Sequence, residues 1–505
     1  MKNSEAIRKL SLAAFAGAAV CAAVAKPVEA PTMGWSSWNA YRVNISEEII
    51  CRAADLMVEL GLDKCGYVYC NIDDGFFGGR DKITGKVISH PQRFPRGMRV
   101  VSDYIHSKGL KAGIYSDGGG DTCGSWYDHD ELGIGVGFYE HDELDAEYYF
   151  RELNFDFIKI DFCGGNPGSN KDHLQLDPKE RYTAIRKAID AVGREDARIN
   201  ICRWNYPGTW VRDVGSSWRI SRDINDKWKI CRQIIEENLY LSGYAAPGAY
   251  NDMDMLEVAR HYSAIEDETH FATWCMMSSP LLIGCDLAVL KGKKAKTLEL
   301  LKNRDLIAID QDVAMPQAQV VKRTRGEKGG IYVLERCLGE PYGMRRAYEF
   351  LNLDDSPHEV EYPLNGEVRQ IAGTAGKEIP AHGCRVFLVN LPERPAEPER
   401  YEAETAFCTE YQELSTPKNA GTPYAEENDG ASAGAVVKNV GGKGGDIRFQ
   451  KVYSEKGGEY LARLVAIGGK TVEKREVTLK SGLNEIVFSS PTSLPPLDYL
   501  EVVRK

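Results

Sequence analysis

The chain has 505 residues, which is too long for one ordinary domain, so we expect two or three domains. Its hydrophobic fraction of 43% and its charged fraction of 27% are typical of a soluble globular protein. The net charge of -11 argues against nucleic acids and anionic membrane surfaces as partners.

The first 25 residues have the pattern of an export signal. Lys2 and Arg8 lie in a positively charged start, the run 10–25 is small and apolar, and Ala23-Val24-Ala25 fits a cleavage site. This run is too short for a transmembrane segment, and we predict no transmembrane segment elsewhere. We therefore predict an exported protein, either periplasmic or secreted. A lipid anchor at Cys21 is an alternative that the preceding residues fit poorly, and an Ala-rich core helix is another.

The thirteen cysteines show no repeated spacing that would indicate a metal site. Cys65 and Cys70 lie close together, but no second pair or histidine cluster completes a zinc site. Export permits disulfides. Many cysteines lie in apolar runs, where we expect free, buried core residues.

Between about residues 31 and 312, apolar strand-like runs alternate with amphipathic runs typical of helices. The strand candidates are Pro31–Trp38, Cys65–Asp73, Leu110–Ser116, Phe155–Phe162, Arg198–Trp204, Trp218–Ile224, Gly248–Met255 and Leu281–Asp286. The helical patterns include Ser46–Leu60, Gly97–Lys108, Glu143–Leu153, Lys179–Val192 and Lys227–Leu241. Eight strands alternating with helices indicate a (β/α)8 barrel. A doubly wound open sheet is the alternative, but no glycine-rich dinucleotide turn follows the first strand.

Polar residues follow most of these strands, at the end where barrels place their active sites. These residues are Asp73, Asp74, Tyr115, Asp117, Asp161, Arg203, Asp223, Asp252 and Asp254. Any one of them alone is compatible with a turn residue or a helix cap. Asp161 and Asp223 lie near the ends of two different strands, which would bring both to one cleft. Two aspartates in one cleft are the minimum set of groups for cleaving a glycosidic bond. Lys159 shares a strand face with Asp161, and its ammonium favours the ionised carboxylate that a nucleophile needs.

The remainder of the chain changes to short β-rich runs. We predict a signal peptide over residues 1–25, a catalytic barrel over 26–312, an antiparallel β-sandwich over 313–393, a proline-rich linker over 394–399 and a second β-sandwich over 400–505. The linker predicts that the last unit folds separately and is dispensable for hydrolysing small substrates. The alternative is a sandwich that only packs on the barrel.

With the strands assigned, the chain resembles glycoside hydrolase family 27, the α-galactosidase and α-N-acetylgalactosaminidase family. The resemblance covers residues 31 to about 393. The motifs that carry it are Pro31-Thr-Met-Gly-Trp-Ser-Ser-Trp-Asn39, Asn71-Ile-Asp-Asp74, Phe94-Pro-Arg-Gly-Met98, His106-Ser-Lys-Gly109, Gly113-Ile-Tyr-Ser-Asp117, Lys159-Ile-Asp161, Trp218-Arg219 with Asp223, and Asn251-Asp-Met-Asp-Met-Leu256. Residues 400–505 resemble a family 35 carbohydrate-binding module through Tyr401–Glu404, Asn439–Gly442 and Leu494–Val502.

The resemblance implies a role for each matching residue. Asp161 matches the nucleophile and Asp223 the acid/base. The matching substrate-binding residues are Trp38, Asp73, Asp74, Tyr115, Lys159, Arg203, Arg219 and Asp254. Cys123 and Cys163 match a family disulfide. No metal or cofactor is implied, and the partner is a carbohydrate, an α-galactoside.

Arg203 departs from the family pattern, in which an acidic or amide residue near O2 of the sugar is usual. Two interpretations stay open: the guanidinium binds a larger or acidic substrate, or it pairs with Asp161 or Asp254 and contacts no substrate. The side chains of Arg203 and Tyr206 are bulky, which argues against a pocket for an N-acetyl group. We therefore expect an exported retaining α-galactosidase. The alternatives are a β-L-arabinopyranosidase, an α-N-acetylgalactosaminidase, or a non-catalytic glycan-binding protein.

Overall fold

A computed structural model of the chain describes residues 29–412 and 421–505. The predicted signal peptide and Cys21 lie outside these residues, so export and the cleavage site stay predictions. Within the described ranges, no helix has the length and apolar character needed to cross a bilayer.

Eight parallel strands form the sheet of the first unit, in the order β8-β1-β2-β3-β4-β5-β6-β7. Their bounds are β1 Met33–Ser36, β2 Tyr69–Asn71, β3 Lys111–Asp117, β4 Phe157–Asp161, β5 Arg198–Ile201, β6 Ser217–Arg219, β7 Tyr250–Asp252 and β8 Leu281–Ile283. A parallel bridge between Leu256 and Ile283 joins the two ends of the sheet. The predicted barrel is therefore confirmed.

Helices lie between the barrel strands along the chain and after the last strand. The α-helices are Trp38–Tyr41, Glu47–Glu59, Met98–Ser107, Cys123–Tyr127, Asp142–Ala146, Pro178–Ala191, Trp228–Asn238, Ala264–Met276, Ala295–Leu301 and Arg304–Asp310, and a π-helix spans Glu147–Glu152. Ser46 caps its helix, since its side chain accepts a hydrogen bond from the backbone N–H of Ile49. Ser263 and Glu266 form a capping box at the start of Ala264–Met276. A hairpin of Phe77–Arg80 and Val87–Ser89 follows β2.

Several strands end earlier than their apolar runs predicted, and β6 is the clearest case. The run Trp218–Ile224 suggested a strand that carries Asp223, but β6 ends at Arg219. Beyond it, the Arg219 guanidinium donates to the Ser221 carbonyl at 3.2 Å, and the Ile224 N–H donates to the Asp254 carboxylate at 2.8 Å. These hydrogen bonds to side chains replace the backbone hydrogen bonds between strands, so Asp223 lies in a loop and not on a strand.

Antiparallel sheets follow the barrel. The first has five strands in the order Gln319–Arg325, Gly330–Leu338, Arg345–Asn352, Cys384–Asn390 and Glu367–Gly373, beside a small pair of His358–Glu359 and Glu378–Ile379. The second has the path Tyr424–Glu427, Ala435–Lys438, Leu497–Arg504, Gly458–Ala466 and Lys470–Leu479, with Arg400–Glu402 paired to Leu497–Arg504. The third contains Phe407–Cys408, Ile447–Ser454 and Gly482–Phe488.

Buried apolar side chains of the barrel, of one part of the middle sheet and of the last two sheets form one contiguous cluster, and the rest of the middle unit has a small cluster of its own. Tyr411 of the last unit, for example, is buried against Tyr206 and Tyr244 of the barrel. The last unit therefore packs directly on the barrel in addition to being joined to it by the chain.

Candidate active site

A cavity of about 630 Å³ opens at the carboxyl ends of the barrel strands. Eight of the ten residues predicted to catalyse or bind substrate line it: Trp38, Asp73, Tyr115, Lys159, Asp161, Arg219, Asp223 and Asp254. Asp74 and Arg203, the other two, are not among the lining residues. The parallel strands bring the side chains together because all their carboxyl ends meet at one rim.

Asp161 is the last residue of β4 and is 4% exposed. Its Oδ2 lies 3.5 Å from the Lys159 Nζ, while its Oδ1 has no hydrogen-bond partner among the described residues. Burial raises the pKa of Asp161 above its ordinary value, and the Lys159 ammonium opposes that rise. As expected, Lys159 favours the ionised form of Asp161, but the effect of burial on the pKa is larger. Asp161 is thus a nearly buried carboxylate in the cavity wall, with Oδ2 beside the Lys159 ammonium and Oδ1 turned into the protein.

Lys159 also contacts Asp73, whose Oδ2 lies 3.2 Å from the Nζ atom. The ammonium lies 5.9 Å from the ring centroid of Trp38 and 5.4 Å from that of Tyr115. Two carboxylates and two aromatic faces therefore fix the position of one cation. Two serines hold Asp73: the Ser36 hydroxyl donates to its carboxylate at 3.4 Å, and the Asp73 N–H donates to the Ser37 hydroxyl at 2.9 Å.

Asp74 lies behind the cavity wall and is 1% exposed. Its Oδ2 accepts a hydrogen bond from the Gly124 N–H at 2.7 Å, and its Oδ1 accepts one from the Gly75 N–H at 2.8 Å. A Cβ on Gly124 would approach the Asp74 carboxylate to 2.7 Å, so only glycine allows this contact. Burial raises the pKa of Asp74 to about 7. In this arrangement, Asp74 ties the end of β2 to the helix Cys123–Tyr127.

Arg219 joins two further carboxylates at the other side of the cavity. Its Nη2 lies 3.1 Å from Asp223 Oδ1 and 2.9 Å from Asp254 Oδ2. The guanidinium is nearly buried, whereas the Asp223 side chain is 65% exposed. Burial raises the pKa of Asp254 to about 7 although Arg219 opposes this. The two catalytic candidates thus differ in environment: Asp161 is buried beside an ammonium, and Asp223 lies at the open side.

Arg203 lies over the Phe162 ring, with its guanidinium carbon 4.9 Å from the ring centroid. Phe162 follows Asp161 directly, so Arg203 packs beside the nucleophile candidate without lining the cavity. Tyr206 packs against Tyr244 at 5.2 Å and also lies away from the cavity. The bulk of Tyr206 therefore gives no argument about an N-acetyl pocket.

Cys123 and Cys163 form a disulfide, which joins the loop after β3 to the end of β4. The Cys123 N–H donates to the Tyr115 hydroxyl at 3.2 Å. Asp117 lies close to both sulfur atoms, but its Oδ1 accepts from the N–H groups of Gly119 and Gly164. Among the described residues, this trio is the one group with metal-binding spacing, and its thiols are consumed by the disulfide.

Several residues that line the cavity were not predicted from the sequence. They are Asn39, Arg42, Tyr127, Trp204, Arg222, Ile224, Asn225, Asp226, Ile230, Met255 and Arg260. Trp204 is the most informative, because its backbone φ of +61° turns the chain immediately after β5. A large aromatic residue rarely adopts this conformation, and no local sequence signal predicts it.

Comparison with known proteins identifies the family of the chain. A family model described as alpha galactosidase A matches residues 30–312. The chain belongs to this α-galactosidase family. It is a glycoside hydrolase, as the relatives in this family indicate. The chain is 33% identical to alpha-galactosidase 3 of Arabidopsis thaliana over 71% of its length and 81% of the relative's.

Two more relatives support the family assignment. Alpha-galactosidase A of Cellvibrio japonicus is 33% identical over 71% of this chain and 92% of the relative. The crystal structure of alpha-galactosidase I from Mortierella vinacea superposes with a TM-score of 0.63 at 25% identity, over 74% of this chain and 99% of that one. The family relationship thus includes the barrel and extends into the sheet that follows it, and it implies a carbohydrate substrate.

Proposed function

We propose that the protein is an exported, retaining α-galactosidase that removes terminal α-linked galactose from oligosaccharides or glycans. The observation that carries this proposal is the contrast between two carboxylates of one cavity. Asp161 is nearly buried and lies 3.5 Å from the Lys159 ammonium, whereas Asp223 is largely exposed and lies 3.1 Å from the Arg219 guanidinium. This asymmetry suits a nucleophile and a separate proton donor.

In the proposed mechanism, Asp161 attacks the anomeric carbon while Asp223 protonates the departing glycosidic oxygen. The first step leaves the galactosyl group esterified to the Asp161 carboxylate. Asp223 then removes a proton from water, which hydrolyses the ester and restores both groups. Asp223 is suited to this exchange because its side chain reaches the open side of the cavity, through which the leaving group departs and water enters.

Substrate recognition in this proposal rests on the inner wall of the cavity. Asp73 and Lys159 offer an acceptor and a donor for sugar hydroxyls, and Trp38 offers an aromatic face. The resemblance implies that Asp73 holds O6, which a β-L-arabinopyranoside lacks, and this favours galactose. Asp74 would act through the Gly124 contact rather than by direct contact with the sugar.

We also propose the division of the chain into a signal peptide (1–25), a catalytic barrel (26–312), a sandwich (313–393), a linker (394–399) and a module resembling carbohydrate-binding family 35 (400–505). The sheets of the last two units lie within these bounds. Secretion into the periplasm or the medium follows from the signal peptide pattern.

The test uses p-nitrophenyl α-galactoside with wild type and Asp161→Asn. Wild type should cleave it, and NMR should detect α-galactose as the first product because two inversions restore the configuration. Asp161→Asn should lose several orders of magnitude in kcat with an unchanged thermal unfolding profile. β-Galactose as the first product would refute the retaining mechanism. Turnover of the arabinopyranoside or N-acetylgalactosaminide alone would favour those alternatives, and no turnover of any glycoside would favour a binding protein.

A further inference from the structure

We propose that the C-terminal unit, residues 400–505, positions part of the active site. It does so by holding the segment 202–216, here called the β5–β6 loop, whose near end carries Trp204 into the cavity. The proposal deepens the function proposed above and rests on the cavity being the site of α-galactoside cleavage. It assigns the unit a role that is separate from any sugar binding of its own.

The near end of the β5–β6 loop belongs to the catalytic cavity. Cys202 is buried beside the nucleophile candidate, and its thiol accepts a hydrogen bond from the Arg219 guanidinium at 3.6 Å. Trp204 lines the cavity with a φ of +61°. A bulky residue rarely adopts this backbone conformation, so it persists only where the surrounding structure holds it.

The far end of the same loop is held by the C-terminal unit. The Tyr206 ring lies 4.9 Å from the ring of Tyr411, and both side chains are buried. The Thr209 hydroxyl donates to the carbonyl of Thr409 at 3.0 Å. Three residues further, the Arg212 guanidinium donates to the Gln450 side chain at 3.1 Å. Contacts at three successive points leave this end of the loop little freedom while the unit is docked.

The barrel itself anchors the C-terminal unit at this place. Tyr411 stacks on Tyr244 of the barrel at 4.5 Å, and the Tyr244 hydroxyl accepts from the Cys408 N–H at 3.3 Å. At Gly243, an added Cβ would lie 2.4 Å from the carbonyl oxygen of Ala406. Such close backbone approach requires glycine and indicates a fixed, well-packed contact.

The barrel also supports the other face of the loop. Trp210 stacks on Tyr182 at 5.9 Å, and Tyr182 stacks on Phe162, the neighbour of Asp161, at 5.6 Å. The loop is therefore held between the barrel on one face and the C-terminal unit on the other. Loosening the second support should shift Trp204 more than Asp161, because β4 and the disulfide hold Asp161 independently.

The decisive variant is Tyr411→Ala, assayed with p-nitrophenyl α-galactoside. We expect KM to rise about tenfold, since displacing a binding wall by about 1 Å weakens substrate binding, and kcat to change less than about threefold. Tyr411→Phe should behave as wild type because the Tyr411 hydroxyl has no partner among the described residues. The matched control is Tyr342→Ala, which removes a ring that contacts Tyr401 and Tyr453 of the same unit but belongs to a different interface.

A double-mutant cycle with Trp204→Ala tests whether the effect passes through Trp204. If it does, Tyr411→Ala should add nothing to the loss in Trp204→Ala. Additive losses, or an equal KM rise in Tyr342→Ala, would overturn the proposal. If Tyr411→Ala fails to fold, Thr209→Val is the second variant, because it removes only the hydrogen bond to Thr409. Thr209→Val should raise KM by about threefold. An unchanged KM in Thr209→Val would also overturn the proposal. An inactive wild type would instead refute the α-galactosidase function.

Discussion

Replacing Lys159 by methionine should shift the acidic limb of the activity profile to higher pH. The Lys159 ammonium lies 3.5 Å from Asp161 and 3.2 Å from Asp73. At an effective dielectric constant of about 20, Coulomb's law gives ~5 kcal/mol for unit charges at the first distance. Because water and nearby groups compensate part of this, an opposite charge at this range shifts a carboxylate pKa by about 1–3 units. The pKa of Asp161, already raised by burial, should therefore rise further by about that much.

The assay is kcat/KM for p-nitrophenyl α-galactoside between pH 3 and 8, which reports groups of the free enzyme. Asp161 must be deprotonated to attack, so activity should fall as the pH drops through the pKa of Asp161. In Lys159→Met this fall should begin at a higher pH. Met keeps most of the side-chain length, and the thermal unfolding profile serves as the control. An unchanged limb with a uniformly lower rate would show that Lys159 acts on substrate binding alone.

Two further predictions concern stability. Burial raises the pKa of Asp74 from 3.8 to about 7, so the folded state retains a proton that the unfolded chain releases. The free energy of unfolding should therefore fall by about 3 kcal/mol between pH 4 and 7, and much less in Asp74→Asn, as urea titrations would measure. A slope that Asp74→Asn leaves intact would contradict this. Replacing both Cys123 and Cys163 by alanine should cost about 4 kcal/mol of stability, given their separation of 40 residues, which calorimetry would detect; an unchanged unfolding temperature would speak against it.

The barrel and most of the site could be predicted from the sequence because they depend on local patterns. Alternation of apolar strands with amphipathic helices specifies the fold class, and parallel strands place their carboxyl ends at one rim. Asp73 and Asp161 followed from this directly, since each lies at or next to a strand end. Asp223 was predicted to lie on a strand. In the structure, hydrogen bonds of the Arg219 and Asp254 side chains to the backbone end that strand early, and the sequence around Asp223 gives no sign of them.

Features that depend on distant contacts were not predictable in this way. The position of Trp204 depends on an unusual backbone conformation, and that of Arg203 on packing over Phe162. The proline-rich linker suggested a separate and dispensable last unit. The buried contacts of Tyr411 with the barrel favour the alternative that this unit packs on the barrel, and they add the support of the β5–β6 loop. Linker composition describes the connection but carries no information about the interface.

The ratio of cations to carboxylates in the cavity also explains why the salt bridge with Lys159 does not lower the pKa of Asp161 below its ordinary value. Lys159 is shared between Asp73 and Asp161, and Arg219 between Asp223 and Asp254. Each cation therefore faces two carboxylates and leaves one negative charge uncompensated. Burial penalises that excess charge, so the pKa of Asp161 rises and that of Asp254 reaches about 7. Near neutral pH, Asp254 is therefore partly protonated beside Arg219, the guanidinium that it shares with Asp223.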